Sequence, residues 1–222
     1  MNTYLSKLAR ASLYFSLFAI PVTSFASVIA GNLGGSAPGY NVVVGNVVGN
    51  DFAADNFAQG VSFTPGANAK VSTVSVALSC AATGFCPDNF TVSLDNNSGG
   101  VPGTAIESYT VSGTTLGNLG SANPLVVFTS SSNPTLLAGT EYWLTISTDT
   151  NNTGAWNLNQ TGDTSATALS SNGGATWGNG GLTPGAYEID GTLTSSVPEP
   201  SSLALVLGCG SLLLFARKFL RR

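Results

Sequence analysis

The chain has 222 residues, of which 8% are charged, and it carries a formal net charge of −4 at pH 7. Its length permits one domain with a substantial hydrophobic core, and its recurring Val, Leu, Phe and Trp residues exclude a disordered acidic chain. The sequence contains no His, which excludes Ser-His-Asp and Cys-His catalysis and His-based metal sites.

Basic residues are unevenly distributed. Of the seven Lys and Arg residues, all except Lys70 lie within residues 1–26 or 197–222. The region between these two ends is therefore acidic, which argues against a nucleic acid or an anionic lipid as its partner.

The N-terminal residues predict a secretory signal peptide over residues 1–26. Lys7 and Arg10 precede the uncharged apolar run 11–20, and small residues follow it, ending at Ala26. This order of a basic region, an apolar region and an A-x-A-like site is typical of a cleaved signal peptide. A second small-residue site lies just downstream. A retained anchor is disfavoured because the run is too short to span a bilayer. We expect export through the Sec route and cleavage after about Ala26.

Residues 27–196 predict one domain built of short strands and turns. The strand candidates are 42–44, 59–63, 70–79, 90–94, 104–111, 125–129, 135–137, 141–147, 155–158 and 186–193. In 141–147, for example, Tyr142, Leu144 and Ile146 alternate with Trp143 and Thr145, so the two sets face opposite sides of a sheet. No stretch in this region shows a sustained helical period with caps. The pattern predicts an all-β domain, an antiparallel β-sandwich with a jelly-roll-like arrangement.

Two of the three cysteines predict a local disulfide. Cys80 and Cys86 bracket a short segment that contains a Gly, and the chain is expected to reach an oxidising compartment. The small loop would constrain little unfolded-state entropy, about 2 kcal/mol in the chain-entropy model. A redox or metal role is disfavoured, because no further Cys or His in the domain completes a site.

The C-terminal residues 197–222 have three parts with distinct physical meanings. Pro198 and Pro200 flank Glu199 and keep this segment extended, outside any helix or sheet interior. Residues 203–216 form an uncharged, Leu-rich run, which we expect to be a single transmembrane helix. As a helix this run would be roughly 21 Å long, short of the hydrocarbon core of about 30 Å, and snorkelling basic side chains narrow the gap. The basic residues 217–222 should stay on the cytoplasmic side.

This ordered tail resembles the PEP-CTERM sorting signal of bacterial exported proteins. The motif residues are Val197, Pro198, Glu199 and Pro200, and the basic residues that end the tail are Arg217, Lys218, Arg221 and Arg222. The resemblance implies recognition by exosortase, an intramembrane cysteine transpeptidase thought to cleave near the motif, and an association with exopolysaccharide and biofilm. The alternative is an ordinary C-terminal anchor in which the Pro-Glu-Pro sequence occurs by chance.

A second resemblance covers most of residues 61–193. The segment 90–104, the sequence Gly-Thr-Glu-Tyr-Trp-Leu ending at Leu144, and the later segments around Trp156 and Trp177 are similar to the choice-of-anchor exported domains, notably the R type. Those domains share one ectodomain and vary in the anchoring tail. The resemblance implies no catalytic residues.

The candidate binding residues of the domain are its three Trp residues and two Asp/Asn-rich turns. Trp143, Trp156 and Trp177 would stack on sugars if exposed, whereas packing in the core or at an edge is the alternative. Residues 95–100 and 149–152 carry oxygen ligands of the kind that Ca²⁺ prefers, but the same residue types are ordinary turn chemistry, and we predict no metal ligand. The scattered carboxylates are expected to be solvated rather than paired for glycoside hydrolysis.

Two classes of function fit these observations. The first is an exported, non-enzymatic surface or extracellular-matrix protein, without a cofactor, whose precursor is held in the inner membrane and sorted by exosortase. The second is a carbohydrate-binding module that uses surface Trp residues and, in one version, Ca²⁺. Whether two Trp rings share an exposed face separates the two classes.

Overall fold

The computed structural model describes residues 26–34, 37–50, 55–149 and 152–194. Regular structure in these ranges is entirely β, apart from one 3-10 turn at Gly113–Thr115. The predicted signal peptide and the predicted C-terminal helix lie outside the described residues, apart from Ala26. Within the described ranges, no helix is long and apolar enough to cross a membrane.

Fourteen strands make up the described part of the chain. In order they are β1 (Ser27–Gly31), β2 (Tyr40–Asn50), β3 (Asn56–Phe63), β4 (Ala69–Val76), β5 (Leu78–Cys80), β6 (Asn89–Asn97), β7 (Pro102–Ser112), β8 (Val126–Thr129), β9 (Thr135–Leu136), β10 (Tyr142–Thr148), β11 (Thr153–Asn159), β12 (Thr167–Ser170), β13 (Gly178–Asn179) and β14 (Tyr187–Leu193).

These strands form two curled antiparallel sheets, arranged like a sandwich or half-barrel. The smaller sheet has the order β1-β14-β4-β8, with β9 also paired to β4. The larger sheet has the order β5-β11-β2-β3-β10-β6-β7, and β12 and β13 add to it beside β3. The prediction of an all-β antiparallel domain is confirmed.

The two sheets are joined by a hydrogen-bonded corner at Ala77. β4 belongs to the smaller sheet and β5 to the larger one, and Ala77 is the single residue between them. Its N–H donates to the carbonyl of Ala186 (3.2 Å), and its carbonyl accepts from the N–H of Asn157 (2.9 Å). Because Ala77 is buried and both its backbone groups are paired, the chain turns from one sheet into the other without leaving a polar group unsatisfied.

The opposite margin is closed by side chains rather than by a strand ladder. There, the edge strand β7 of the larger sheet meets the edge strand β8 of the smaller one. The rings of Tyr109 and Phe128 stack with centroids 5.1 Å apart. The carboxylate of Glu107 reaches the turn after β8, where Ser130 donates to it at 2.6 Å. The main core lies between the two margins.

The core consists of the inward-facing residues of both sheets. Its members are Val61, Val74, Val76, Phe90, Val92, Leu94, Leu144, Ile146, Trp156, Tyr187 and Ile189, together with smaller neighbours. The predicted alternation therefore identifies the correct inner residues in β4, β6 and β10. Burial of these side chains is the main stabilising contribution to the fold.

The sequence pattern did not predict β1, β12 or β13. β1 directly follows the predicted cleavage site and pairs with β14, so that Ser27 lies opposite Gly191. Because this pair is antiparallel, the start of β1 and the end of β14 lie at the same end of the molecule. β12 and β13 are short and rich in small residues, which leaves too little alternation to distinguish them from turns.

Candidate functional site

The three Trp residues do not share an exposed face. Trp143 and Trp156 are each only 1% exposed, and Trp177 is partly exposed. The hypothesis of a surface formed by several Trp rings is therefore wrong for Trp143 and Trp156. The physical reason differs between these two residues.

Trp143 is buried because the part of the outer face around it is covered. In the sheet, Trp143 lies between Asp95 of β6 and Ser62 of β3, and all three residues are buried. The end of the β6–β7 hairpin curls over this face, since a Cβ placed on Gly60 would lie 3.2 Å from Pro102 Cγ. The indole Nε1 donates to Asn97 Oδ1 at 3.2 Å. Trp143 is a packing residue of a second, outer core.

Trp156 belongs to the main core beside the corner between the sheets. Its Nε1 donates to the carbonyl of Ala186 at 3.0 Å. The indole lies directly against Gly185, where a Cβ would overlap the ring. Glycine is required at position 185 for this close approach, and Trp156 has no surface for a ligand.

Trp177 is the one Trp residue that retains solvent access. It directly precedes β13, and its ring packs against the backbone at Gly174, with Cζ2 3.5 Å from the position of a Cβ there. The ring therefore has a fixed position and a partly open surface, the combination that stacking on a sugar requires.

Asp95 is the most buried carboxylate of the described domain, at 5% exposure. It accepts hydrogen bonds from Ser93 Oγ at 2.5 Å and from Thr145 Oγ1 at 2.7 Å. Burial raises the pKa of Asp95, and the two hydroxyl donors offset this only in part. Its carboxylate is directed into the sheet face, toward these hydroxyls, rather than toward a ligand in the following turn.

In Glu107, the hydrogen-bond donors outweigh the effect of burial on the pKa. Its two carboxylate oxygens accept from Ser130 Oγ (2.6 Å), Ser131 N (2.8 Å), Ser131 Oγ (3.0 Å), Ser132 N (3.1 Å) and Tyr109 Oη (3.0 Å). Burial alone would raise its pKa, but these donors outweigh that effect and lower the pKa of Glu107 to about 2. Burial, together with the contact to Glu107, raises the pKa of Tyr109. This cluster fastens β7 to the turn after β8.

The predicted disulfide is present, with the Sγ atoms of Cys80 and Cys86 bonded at 2.04 Å. Cys80 is in β5, and both sulfur atoms lie near the carbonyl of Gly113. The disulfide therefore lies beside the 3-10 turn, where its role is structural.

In the described residues, the carboxylates of the two Asp/Asn-rich turns are hydrogen-bonded to neighbouring protein groups. Asp95 binds the hydroxyls named above, and Asp149 Oδ2 accepts from Asn89 Nδ2 at 2.7 Å. Residues 150 and 151 lie outside the described ranges. Across the described ranges, no group of three or more His, Cys, Asp or Glu side chains is placed to hold a metal ion.

A polar cleft of about 450 Å³ lies between residues 163–167 and 179–184. Neither segment was singled out in the sequence. Asp163 lines the cleft, and Oδ1 of its carboxylate accepts from Ser165 N (2.9 Å) and Ser165 Oγ (2.6 Å), while Oδ2 accepts from Asn32 Nδ2 (2.8 Å). Burial alone would raise the pKa of Asp163, but these hydrogen bonds lower it overall. Asn32 is 131 residues away in sequence, so only the folded chain assembles this arrangement.

The residues of the predicted sorting tail lie outside the described ranges. They are Val197, Pro198, Glu199 and Pro200 of the motif and Arg217, Lys218, Arg221 and Arg222 of the basic end. Their assignment stays a prediction from the sequence.

Comparison of the chain with models of known protein families, with curated proteins and with solved structures found no match.

Proposed function

We propose that the chain is an exported, non-enzymatic protein of the cell surface or extracellular matrix, sorted by exosortase through its C-terminal tail. The observation that carries this proposal is the ordered tail itself: Val-Pro-Glu-Pro, an apolar run and a basic end within residues 197–222. An ordinary anchor requires no Pro-Glu-Pro segment before its helix. Association with exopolysaccharide and biofilm follows from the same resemblance.

The geometry of the described domain supports this proposal in one respect. Ser27 lies opposite Gly191, so the segments that carry the two predicted signals leave the domain at the same end. A precursor held by both signals would then turn one end of the domain toward the membrane and display the other. The jelly-roll-like arrangement is also a proposal, supported by the two curled antiparallel sheets.

The non-enzymatic assignment rests on the chemistry of the residues. The chain lacks His, and two of its strongly hydrogen-bonded carboxylates, Asp95 and Glu107, contact side chains and backbone of neighbouring strands and turns. Such contacts fasten structure, and they leave neither group placed as a general base with an open approach.

The sorting proposal is tested by mass spectrometry of the exported protein from cells with and without an active exosortase. We expect a shortened C terminus only in cells that have the enzyme. Replacing Pro198, Glu199 and Pro200 by Ala should abolish the shortening. The matched control replaces the adjacent Ser201 and Ser202 by Ala and should leave it intact. An exported species that still ends at Arg222 in cells with active exosortase would contradict the proposal.

A further inference from the structure

The cleft between residues 163–167 and 179–184 has fixed walls. Thr167 joins them, because its Oγ1 accepts from Leu182 N at 3.0 Å and its carbonyl accepts from Gly180 N at 2.8 Å. The far side of the second segment is held by Asn46, whose Nδ2 donates to the carbonyl of Thr183 at 2.9 Å. A ligand would therefore meet a preformed surface and would not have to order these loops.

The groups that line the cleft are those that pair with hydroxyls. The Asp163 carboxylate is held in one orientation by Ser165 and Asn32. Its Oδ1 already accepts two hydrogen bonds, whereas Oδ2 accepts one and has a second lone pair for a ligand hydroxyl. The exposed side chains of Thr164, Asn179 and Thr183 add hydroxyl and amide groups. Leu182, 39% exposed, adds an apolar surface of the kind that the C–H face of a sugar ring covers.

The charge of the domain excludes anionic ligands from this cleft. None of the residues that line it is basic, and its one charged residue is Asp163. Lys70, the single basic residue within the described ranges, is on β4 of the other sheet. A phosphate or carboxylate would meet like charge here with no cation to compensate.

Trp177 lies outside this cleft but close to it in sequence. It is two residues before Asn179, which lines the cleft, and its ring lies against Gly174. It is also the Trp residue that is neither in the main core nor in the outer one.

We infer that this cleft binds one unit of a neutral oligosaccharide, with Asp163 and Asn179 pairing its hydroxyls, and that Trp177 stacks on a neighbouring unit outside the cleft. This inference concerns a ligand of the displayed domain and does not depend on sorting by exosortase.

The test is isothermal titration of the full chain, produced without exosortase and kept in lauryldimethylamine oxide, a detergent without a sugar headgroup. The probes are maltohexaose, cellohexaose, laminarihexaose and β-1,4-mannohexaose, with an oligogalacturonate as the anionic comparison. We expect saturable binding of at least one neutral hexasaccharide and at least about tenfold weaker binding of the oligogalacturonate, a difference of about 1.4 kcal/mol.

Two variants connect this binding to the cleft. Asn179→Ala and Trp177→Ala should each weaken it about tenfold or more, with unchanged near-UV circular dichroism as the check on folding. The matched control is Asn118→Ala, whose Nδ2 donates to Thr83 Oγ1 on another part of the surface. Absence of binding to all four neutral probes at about 5 mM would overturn the inference. Equal affinity for oligogalacturonate, or wild-type affinity in either variant, would also overturn it.

Discussion

Both faces of the larger sheet are buried where β3, β10 and β6 pair, yet they are built from different chemistry. On the inner face, Leu94 and Leu144 are paired neighbours in the main hydrocarbon core. On the outer face, the next pair along the same strands is Asp95 and Trp143, beneath the end of the β6–β7 hairpin. Each face also has one carboxylate, Glu107 at the margin of the inner face and Asp95 within the outer face. A covered outer face thus retains the polar residues of an ordinary solvated face, and hydrogen bonds within the face replace water.

The two carboxyl groups, Asp95 and Glu107, also show what decides the direction of a pKa shift. Glu107 has five donors, of which two are backbone N–H groups, and its pKa falls. Asp95 has two hydroxyl donors and deeper burial, and its pKa rises. The number of donors relative to the loss of solvent, rather than the residue type, sets the direction.

The largest expected effect tests whether the outer face is a true core. Trp143→Ala should lower the free energy of unfolding by roughly 3–5 kcal/mol, as should Trp156→Ala, because each removes a fully buried indole. Urea unfolding followed by circular dichroism measures both. A cost for Trp143→Ala below about 1 kcal/mol would show that the outer face is a solvated surface, and would return Trp143 to the candidates for sugar stacking.

A smaller effect is expected at Glu107. Glu107→Gln should cost roughly 1–3 kcal/mol at pH 7, because hydrogen bonds to a charged acceptor are lost. Since the native pKa of about 2 lies below the usual value near 4.3, this stabilisation is present above about pH 5 and is lost as the pH falls toward 2. The measurement is urea unfolding of both proteins across that range.

Glu188→Gln is the matched control for Glu107, because burial and neighbouring Asp190 raise the pKa of Glu188. The difference in stability between wild type and Glu188→Gln should therefore change with pH in the opposite direction. A difference between wild type and Glu107→Gln that does not change with pH would contradict the assigned role of the Ser130–Ser132 turn.

Asp95→Asn should have a smaller effect on the free energy of unfolding than Glu107→Gln. Its dependence on pH should have the reverse sign. Because the native pKa of Asp95 is raised, the wild type loses stability as the pH rises from about 4 through the native pKa, and the variant does not. The variant should therefore become more stable relative to wild type as the pH rises from about 3 to about 7. Thr145→Val, which removes one of the two hydroxyl donors, should steepen the wild-type slope. If Asp95→Asn instead becomes less stable relative to wild type as the pH rises, Asp95 has a stabilising partner when ionised.

The smallest effect is expected at Trp177. Because its ring is partly exposed and belongs to neither core, Trp177→Ala should change the free energy of unfolding by no more than about 0.5 kcal/mol. The same urea titration measures it. A loss comparable to that of Trp143→Ala would show that Trp177 is a packing residue.

Local sequence rules predicted most of the strands and the disulfide because both depend on nearby residues. The alternation of Tyr142, Leu144 and Ile146 gave the correct inner face of β10, and Cys80 and Cys86 are six residues apart. The same alternation could not show that Trp143 is covered, because the cover comes from the end of the β6–β7 hairpin. There Asn97 accepts from the indole Nε1, and Pro102 lies over the neighbouring Gly60.

The cleft was not predictable for a similar reason. Its Asp163 is oriented by Asn32 at the end of β1, 131 residues earlier, and its walls come from two segments rich in Gly, Ser and Thr. Such segments have no periodicity that predicts a site, and only the paired positions of β1, β12 and β14 bring them together. The described residues neither support nor contradict the tail motif.

The pairing of β1 with β14 has a topological consequence. Because residue 27 and residue 193 lie at the same end of adjacent strands, a short Gly-rich peptide could join them into a closed ring without disturbing any described strand. New ends could then be opened at the exposed Gly99-Gly100 turn, where a Cβ built on either residue would have no atom within 4 Å. The order in which these strands are synthesised is thus separable from the architecture they form, and circular permutation should preserve the domain.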